Sequence, residues 1–150
     1  NVDEERVAEL LRYEYGAIAL SDAGAHLSFL CDAGFGLHLM GHWARDKNEM
    51  SLEQAVQALT SRPADIYRIK DRGRLVPGAW ADLMLFDPKS VGRGEKVRVN
   101  DLPTGAERID TPAVGLEGVW VNGIRTARGS ANIEGCGTPG QLLRDFSDVA

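Results

Sequence analysis

The spacing of the hydrophobic residues changes near Gly73. Before that point, apolar side chains recur every three or four residues, as in residues 4–13, which is the period of a helix with one buried face. After it, short apolar runs such as residues 81–86 end at turn-forming residues, a pattern typical of strands. We therefore expect helices in the first part of the chain and a mostly antiparallel β unit in the second.

Capping signals locate the helices of the first part. Asp3 can cap a helix over residues 4–13, whose first turn is acidic. Ser51 and Gln54 have the spacing of a capping box, so a helix is predicted over residues 52–59. Further short helices are predicted at residues 64–69 and 141–146.

Two sequence features predict particular strands. Residues 17–20 form a continuous apolar run between Gly16 and Ser21, which suits a strand buried on both faces of a parallel sheet. The pair Asn122-Gly123 is the strongest hairpin signal in the chain. The remaining strands are predicted at residues 81–86, 97–99, 114–121 and 124–127.

Composition narrows the possible functions. The chain has 150 residues, with 17 Lys or Arg and 22 Asp or Glu, for a net charge of -5. It lacks the basic excess that binds nucleic acids or anionic membranes, and no apolar run reaches the ~18 residues of a membrane span. Two cysteines are too few for a disulfide framework. We expect a cytoplasmic protein with neither a nucleic-acid nor a membrane partner.

Asp22 is the first candidate functional residue. It follows the apolar run, and α/β proteins place their active sites just past the carboxyl ends of buried strands. A carboxylate there can bind a metal, orient a water molecule or accept its proton. Gly24 permits a tight turn or the close approach of a ligand. Alternatively, Asp22 only caps the turn that follows, a common role of aspartate.

His38 and His42 form a second candidate. Because they are four residues apart, both could face a zinc ion from one side of a helix, with Cys31 as a further ligand. Glycines within the segment argue against a regular helix, and no glutamate or second pair of cysteines completes a standard motif. Packed or partly exposed histidines are the favoured interpretation.

Residues 21–26, Ser-Asp-Ala-Gly-Ala-His, resemble the last-strand motif of the amidohydrolase superfamily, in its N-acyl-D-amino-acid deacylase (D-aminoacylase) branch. Three later stretches agree in order and spacing. Residues 51–64 look like the helix after the last barrel strand, residues 71–88 like the return into a small β domain, and residues 118–123 like its closing hairpin. The resemblance covers roughly residues 3–130.

The resemblance implies a zinc-dependent hydrolase built on a (β/α)8 barrel. In that family the carboxylate of the last strand, here Asp22, contacts the metal-bound water and shuttles its proton during amide hydrolysis, so Asp22 is the expected metal ligand and general base. Zinc lowers the pKa of that water toward ~7. His26 would support the site or contact the substrate. The other ligands come from earlier strands, and all three histidines of this chain follow Asp22.

The predicted fold is therefore α/β. It comprises the last strand and helices of an amidohydrolase barrel (residues 1–72), a small antiparallel β domain (residues 73–135) and a tail (residues 136–150). The predicted function is that of a C-terminal fragment of a zinc-dependent amidohydrolase, which cleaves an amide or other C–N bond of a small molecule such as an N-acyl-D-amino acid. Alone, without the N-terminal part of the same enzyme, the chain is expected to be inactive and to form homo-oligomers. The alternatives are a non-catalytic β module that mediates interactions and a cyclic-amide hydrolase of the same superfamily.

Overall fold

The computed structural model describes residues 3–19 and 21–144, and this part of the chain begins with helices and ends with strands. The first helix, α1 (Glu4–Leu11), is capped by Asp3, whose side chain accepts a hydrogen bond from the backbone N–H of Arg6 at 3.1 Å. The helices that follow are α2 (Phe35–His38), a π-helix (Leu39–Asp46), α3 (Leu52–Leu59) and α4 (Ser61–Ile66).

Both helices that the capping signals predicted are confirmed. At the start of α3, the Ser51 hydroxyl accepts a hydrogen bond from the backbone N–H of Gln54 at 3.2 Å. The Gln54 side chain in turn accepts one from the backbone N–H of Ser51 at 2.8 Å, which completes the capping box. The helix α4 begins at Ser61, earlier than predicted, because Pro63 is tolerated in a first turn, where its missing N–H costs no intrahelical bond.

Glycines argued against a regular helix in the segment with His38 and His42, and the structure has the four-residue α2 followed by a π-helix there. Gly41 lies within the π-helix. A Cβ at this position would lie 2.5 Å from the carbonyl oxygen of Val91, so the glycine lets the π-helix pack directly against a neighbouring backbone. The buried core cluster includes Val91 and also contains Ala8, Leu39, Met40, Trp43, Ala44 and Ala55.

The second part of the described chain is a set of antiparallel strand pairs. The strands are β1 (Leu83–Phe86), β2 (Gly92–Arg93), β3 (Val97–Val99), β4 (Arg108–Asp110), β5 (Ala113–Val114), β6 (Leu116–Val121), β7 (Ile124–Arg128) and β8 (Ala131–Asn132). One sheet has the order β1-β6-β7-β8, while β2 pairs with β5 and β3 with β4. Every described pair is antiparallel, as predicted.

The predicted hairpin is confirmed between β6 and β7. Asn122 and Gly123 have φ values of 49° and 81°, and the flanking residues Val121 and Ile124 pair with each other. Two positive φ values are the signature of the tight turn whose twist matches that of the strands. The strand predicted over residues 114–121 is interrupted at Gly115, where a Cβ would lie 2.5 Å from the backbone nitrogen of a neighbouring segment.

The strand predicted at residues 17–20 is wrong for the described residues 17–19, which join no sheet. Ala17 and Ala19 are exposed and Ile18 is half-buried. A strand needs a neighbour to receive its backbone hydrogen bonds, and no described strand lies beside this run. Of the predicted helix at residues 141–146, residues 141–144 are not helical. Residues 145–146, like Leu20, lie outside the described residues.

The described architecture is therefore mixed, with helices and antiparallel sheets. The barrel and the domain boundaries at residues 72 and 135 stay predictions. None of the helices in the described ranges is long and apolar enough to cross a bilayer.

Candidate functional site

Asp22 lies exposed, just before a series of turns at residues 23–29. The Ser21 hydroxyl accepts a hydrogen bond from the backbone N–H of Ala23 at 3.1 Å, and the Asp22 carbonyl accepts one from Ala25 at 3.2 Å. The φ of Asp22 is 53°, in the left-handed region. Aspartate enters this region more readily than most residues, although a non-glycine residue there costs on the order of 1 kcal/mol. The turn thus presents the carboxylate to solvent.

His26 lies in the same series of turns. Its φ is 55°, and its carbonyl accepts hydrogen bonds from the backbone N–H groups of Phe29 and Leu30 at 2.9 and 3.0 Å. The imidazole stacks on the Phe29 ring with 4.9 Å between centroids, and the Phe29 side chain is 66% exposed. An exposed aromatic pair of this kind can contact a small organic ligand.

The described residues do not form a zinc site by themselves. A catalytic zinc ion requires about three protein ligands. Across residues 3–19 and 21–144, no three His, Cys, Asp or Glu side chains come close enough to hold one ion. Asp22 can supply one ligand, so any further ligands would have to come from outside these residues.

The alternative zinc site is wrong, because the structure does not bring Cys31 together with the two histidines as a ligand set. The rings of His38 and His42 stack at 4.7 Å with an interplanar angle of 9°. Cys31 is buried, and its sulfur accepts a hydrogen bond from the Thr111 hydroxyl at 3.3 Å. Burial lowers the pKa of His38, and the charges of Arg93 and His42 act in the same direction. Packed histidines are the correct interpretation.

A cluster of charged side chains around Glu4 was not predicted from the sequence. One oxygen of its carboxylate lies 2.9 Å from Nε2 of His42, and the other lies 2.6 Å from Nζ of Lys47. These bonds, that of Lys47 first, lower the pKa of the Glu4 carboxyl. The cluster joins α1 to the π-helix. No local pattern signals a contact between residues so far apart in sequence.

Comparison with known proteins places the chain in a family. Residues 11–127 match the model of the amidohydrolase family. An N-acyl-D-glutamate deacylase of Alcaligenes xylosoxydans xylosoxydans is 31% identical over 153 aligned residues, which cover 99% of this chain and 28% of that protein. A D-aminoacylase of the same organism is 38% identical over 85 residues, or 57% of this chain and 16% of its own length. The chain therefore spans less than a third of the curated relatives it matches.

Solved structures give the same result. A crystal structure of D-aminoacylase matches 69% of this chain and 20% of its own chain with a TM-score of 0.54 and 28% identity. The N-acyl-D-glutamate deacylase of Bordetella bronchiseptica, solved with zinc and a phosphonate inhibitor, matches 75% of this chain and 21% of its own with a TM-score of 0.54 and 36% identity. The family model covers most of the chain, and these relatives by sequence and by structure are D-amino-acid deacylases, so this chain belongs to the amidohydrolase family, in its D-aminoacylase branch.

Proposed function

We propose that this chain is the C-terminal part of a zinc-dependent amidohydrolase that hydrolyses N-acyl-D-amino acids, with Asp22 as its general base and one of its metal ligands. The observation that carries the proposal is the Ser-Asp-x-Gly-Ala-His motif of residues 21–26, within a chain that aligns almost completely with an N-acyl-D-glutamate deacylase. The chain spans 28% of that relative. The rest of the enzyme would contribute the remaining metal ligands.

The exposed carboxylate of Asp22 suits proton transfer during amide hydrolysis. The oxygen of a water molecule bonds to the acyl carbon, and Asp22 accepts the proton that this water loses. When the C–N bond breaks, the same proton passes from the Asp22 carboxyl to the leaving amine. His26 and Phe29 lie in the same turns, and we assign them to contacts with the substrate.

The choice of substrate class rests on the relatives. The relatives reported above are an N-acyl-D-glutamate deacylase and a D-aminoacylase, and an N-acyl-D-aspartate deacylase is 35% identical over 99 residues. These names have in common an acyl amide on a D-amino acid. The proposed substrates of this enzyme are therefore N-acyl-D-amino acids, acidic ones included.

The test is the steady-state kinetics of Asp22→Asn in the whole enzyme. Asparagine has nearly the same shape but accepts no proton, so kcat should fall by at least ~100-fold, the lower end of what acid–base catalysis contributes. Asp71→Asn is a matched control, because Asp71 is also exposed and has a similar φ of 57°. This control should keep its activity.

Other outcomes would redirect the proposal. An Asp22→Asn enzyme with full activity would end the assigned role of this residue. Turnover of cyclic amides, but not of N-acyl-D-amino acids, by the unsubstituted enzyme would favour the cyclic-amide alternative. If neither class of substrate is hydrolysed, a non-catalytic module becomes the better description.

A further inference from the structure

The segment that carries Asp22 has little regular structure of its own. Residues 21–33 contain turns but no helix or strand. Asp22 and His26 both have positive φ values, 53° and 55°. Non-glycine residues keep this conformation only where the surrounding structure holds them in it. The position of the Asp22 carboxylate therefore depends on what anchors this segment, here called the Asp22 loop (residues 21–33).

The central anchor is a backbone hydrogen bond to the β3–β4 hairpin. The N–H of Ile109 donates to the carbonyl oxygen of Leu27 at 2.9 Å. Within the hairpin, Ile109 pairs with Arg98 of β3. Because the Ile109 N–H is directed to Leu27, the outer edge of β4 holds the loop as a neighbouring strand would.

Side chains also connect the Asp22 loop to the β3–β4 hairpin and the residues that flank it. The Arg98 guanidinium donates to the carbonyl oxygen of Ser28 at 3.5 Å. The Thr111 hydroxyl donates to the buried sulfur of Cys31 at 3.3 Å. At the end of the loop, the Asp32 carboxylate pairs with Lys96 at 3.2 Å and with Arg93 at 3.7 Å.

These contacts all lead to the same region of the chain. Among the described residues, every hydrogen bond or ion pair that links the Asp22 loop to a distant segment ends on residues 93–111. The helices that follow the loop in sequence make none of these links. The loop is thus held from the side of the β strands.

We propose that the β3–β4 hairpin positions Asp22 for proton transfer, with Ile109 as the principal positioning residue and Thr111 and Lys96 in support. The inference rests on the proposed role of Asp22 as a base. A general base must lie within hydrogen-bond reach of the proton that it accepts, so a small displacement of the loop lowers the rate. The hairpin therefore contributes to catalysis without contacting the substrate.

The test removes the central anchor with Ile109→Pro in the whole enzyme. Proline has no N–H to donate, and an outward-facing position on an edge strand tolerates it. We expect faster amide hydrogen exchange across residues 22–31 and an unchanged zinc content. We also expect kcat to fall about tenfold while KM stays within about twofold of its original value. This loss of kcat is part of the ~100-fold or more that acid–base catalysis contributes. Ala106→Pro is the matched control, because Ala106 lies in the same hairpin with a φ of -64°, close to that of proline.

A double variant separates positioning from a general structural defect. In the Asp22→Asn background the group to be positioned has lost its function, so Ile109→Pro should not lower the residual kcat further. A further tenfold loss in that background would overturn the inference, and so would unchanged hydrogen exchange or unchanged kcat in the single Ile109→Pro variant. An Asp22→Asn enzyme with full kcat would instead refute the proposed function, and this inference with it.

A second variant covers the case in which Ile109→Pro does not fold. Asp32→Asn combined with Thr111→Val removes two side-chain anchors and leaves the backbone unchanged. The same pattern is expected, with faster exchange in the Asp22 loop and a lower kcat at constant KM. Wild-type exchange and kcat in this variant would overturn the inference.

Discussion

The carboxylate of Asp82 accepts a hydrogen bond from the backbone N–H of Asn122 at 2.8 Å. Its other oxygen pairs with Arg72, whose side chain is only 13% exposed. Arg72 also donates to the side-chain oxygen of Asn122 at 3.2 Å and lies 5.3 Å from the centroid of the Trp80 ring. One carboxylate thereby ties the turn between β6 and β7 to the segment that precedes β1.

We predict that Asp82→Ala lowers the free energy of unfolding of the isolated chain by about 2 kcal/mol, because hydrogen bonds to charged groups contribute roughly 1.5–3 kcal/mol. Urea denaturation followed by tryptophan fluorescence measures the change. Asp65→Ala is the control, since the Asp65 side chain is 61% exposed in its pair with Arg74. Exposed ion pairs contribute about 0–1 kcal/mol, so equal losses in the two variants would contradict the prediction.

Gly41→Ala should destabilise the chain by roughly 1–3 kcal/mol, the usual cost of overpacking a core. The added Cβ would lie 2.5 Å from the Val91 carbonyl oxygen and 3.0 Å from the Cα of Gly92, both backbone atoms that cannot move aside easily. Thermal unfolding monitored by circular dichroism measures the effect.

Gly36→Ala provides the comparison within the neighbouring helix. A Cβ there would lie 3.4 Å from a methyl group of Leu59, a side chain that can adjust. Because alanine favours helix over glycine by about 1 kcal/mol, this variant should be neutral or more stable. A Gly36→Ala protein as unstable as Gly41→Ala would show that the close contact with Val91 does not explain the loss.

The stability of the chain should fall as the pH drops below about 6.5, the ordinary pKa of histidine. Burial lowers the pKa of His38 in the folded state, so the unfolded state binds the proton more readily. The stability that depends on neutral His38 is therefore fully present above the pKa of the unfolded state. It is lost as the pH falls toward the lower pKa of the folded state. His38→Gln should flatten the profile of unfolding free energy below about pH 6.5. A His38→Gln chain whose stability falls as steeply as that of the unsubstituted chain would contradict this prediction.

The isolated chain should retain no stoichiometric zinc after dialysis and should hydrolyse no N-acyl-D-amino acid. Asp22 would supply at most a single ligand, whereas a catalytic zinc site requires about three, and no three possible ligands lie together among the described residues. Elemental analysis and an amine-release assay measure the two properties. One zinc ion per chain after dialysis would contradict the prediction and would require ligands other than Asp22.

Local chemistry explains why several elements could be predicted from the sequence. The capping box of Ser51 and Gln54 and the turn at Asn122-Gly123 depend on residues within three positions of each other. Their hydrogen bonds and φ preferences are properties of those residues in any surroundings. The motif around Asp22 is also local, because the family resemblance depends on the order of six consecutive residues, 21–26.

The prediction at residues 17–20 failed because a strand is not a local structure. An apolar run needs a neighbouring strand to bond its backbone, and the described chain places none beside residues 17–19. The π-helix at Leu39–Asp46 could not be predicted for a different reason. Helix propensity counts Gly41 as unfavourable, while the packed structure uses its missing side chain to approach Val91.

The sequence by itself determined the order of helices and antiparallel strands, the caps, the β6–β7 turn and the membership of the family. Only the tertiary structure decided that Glu4 binds His42, that Asp82 binds Asn122 and that the Asp22 loop is held by the hairpin. Each of these contacts joins residues that are 38 or more positions apart. Hydrophobic periodicity and residue propensity do not predict contacts over such sequence separations, because these pairs meet only after the helices and strands between them have packed.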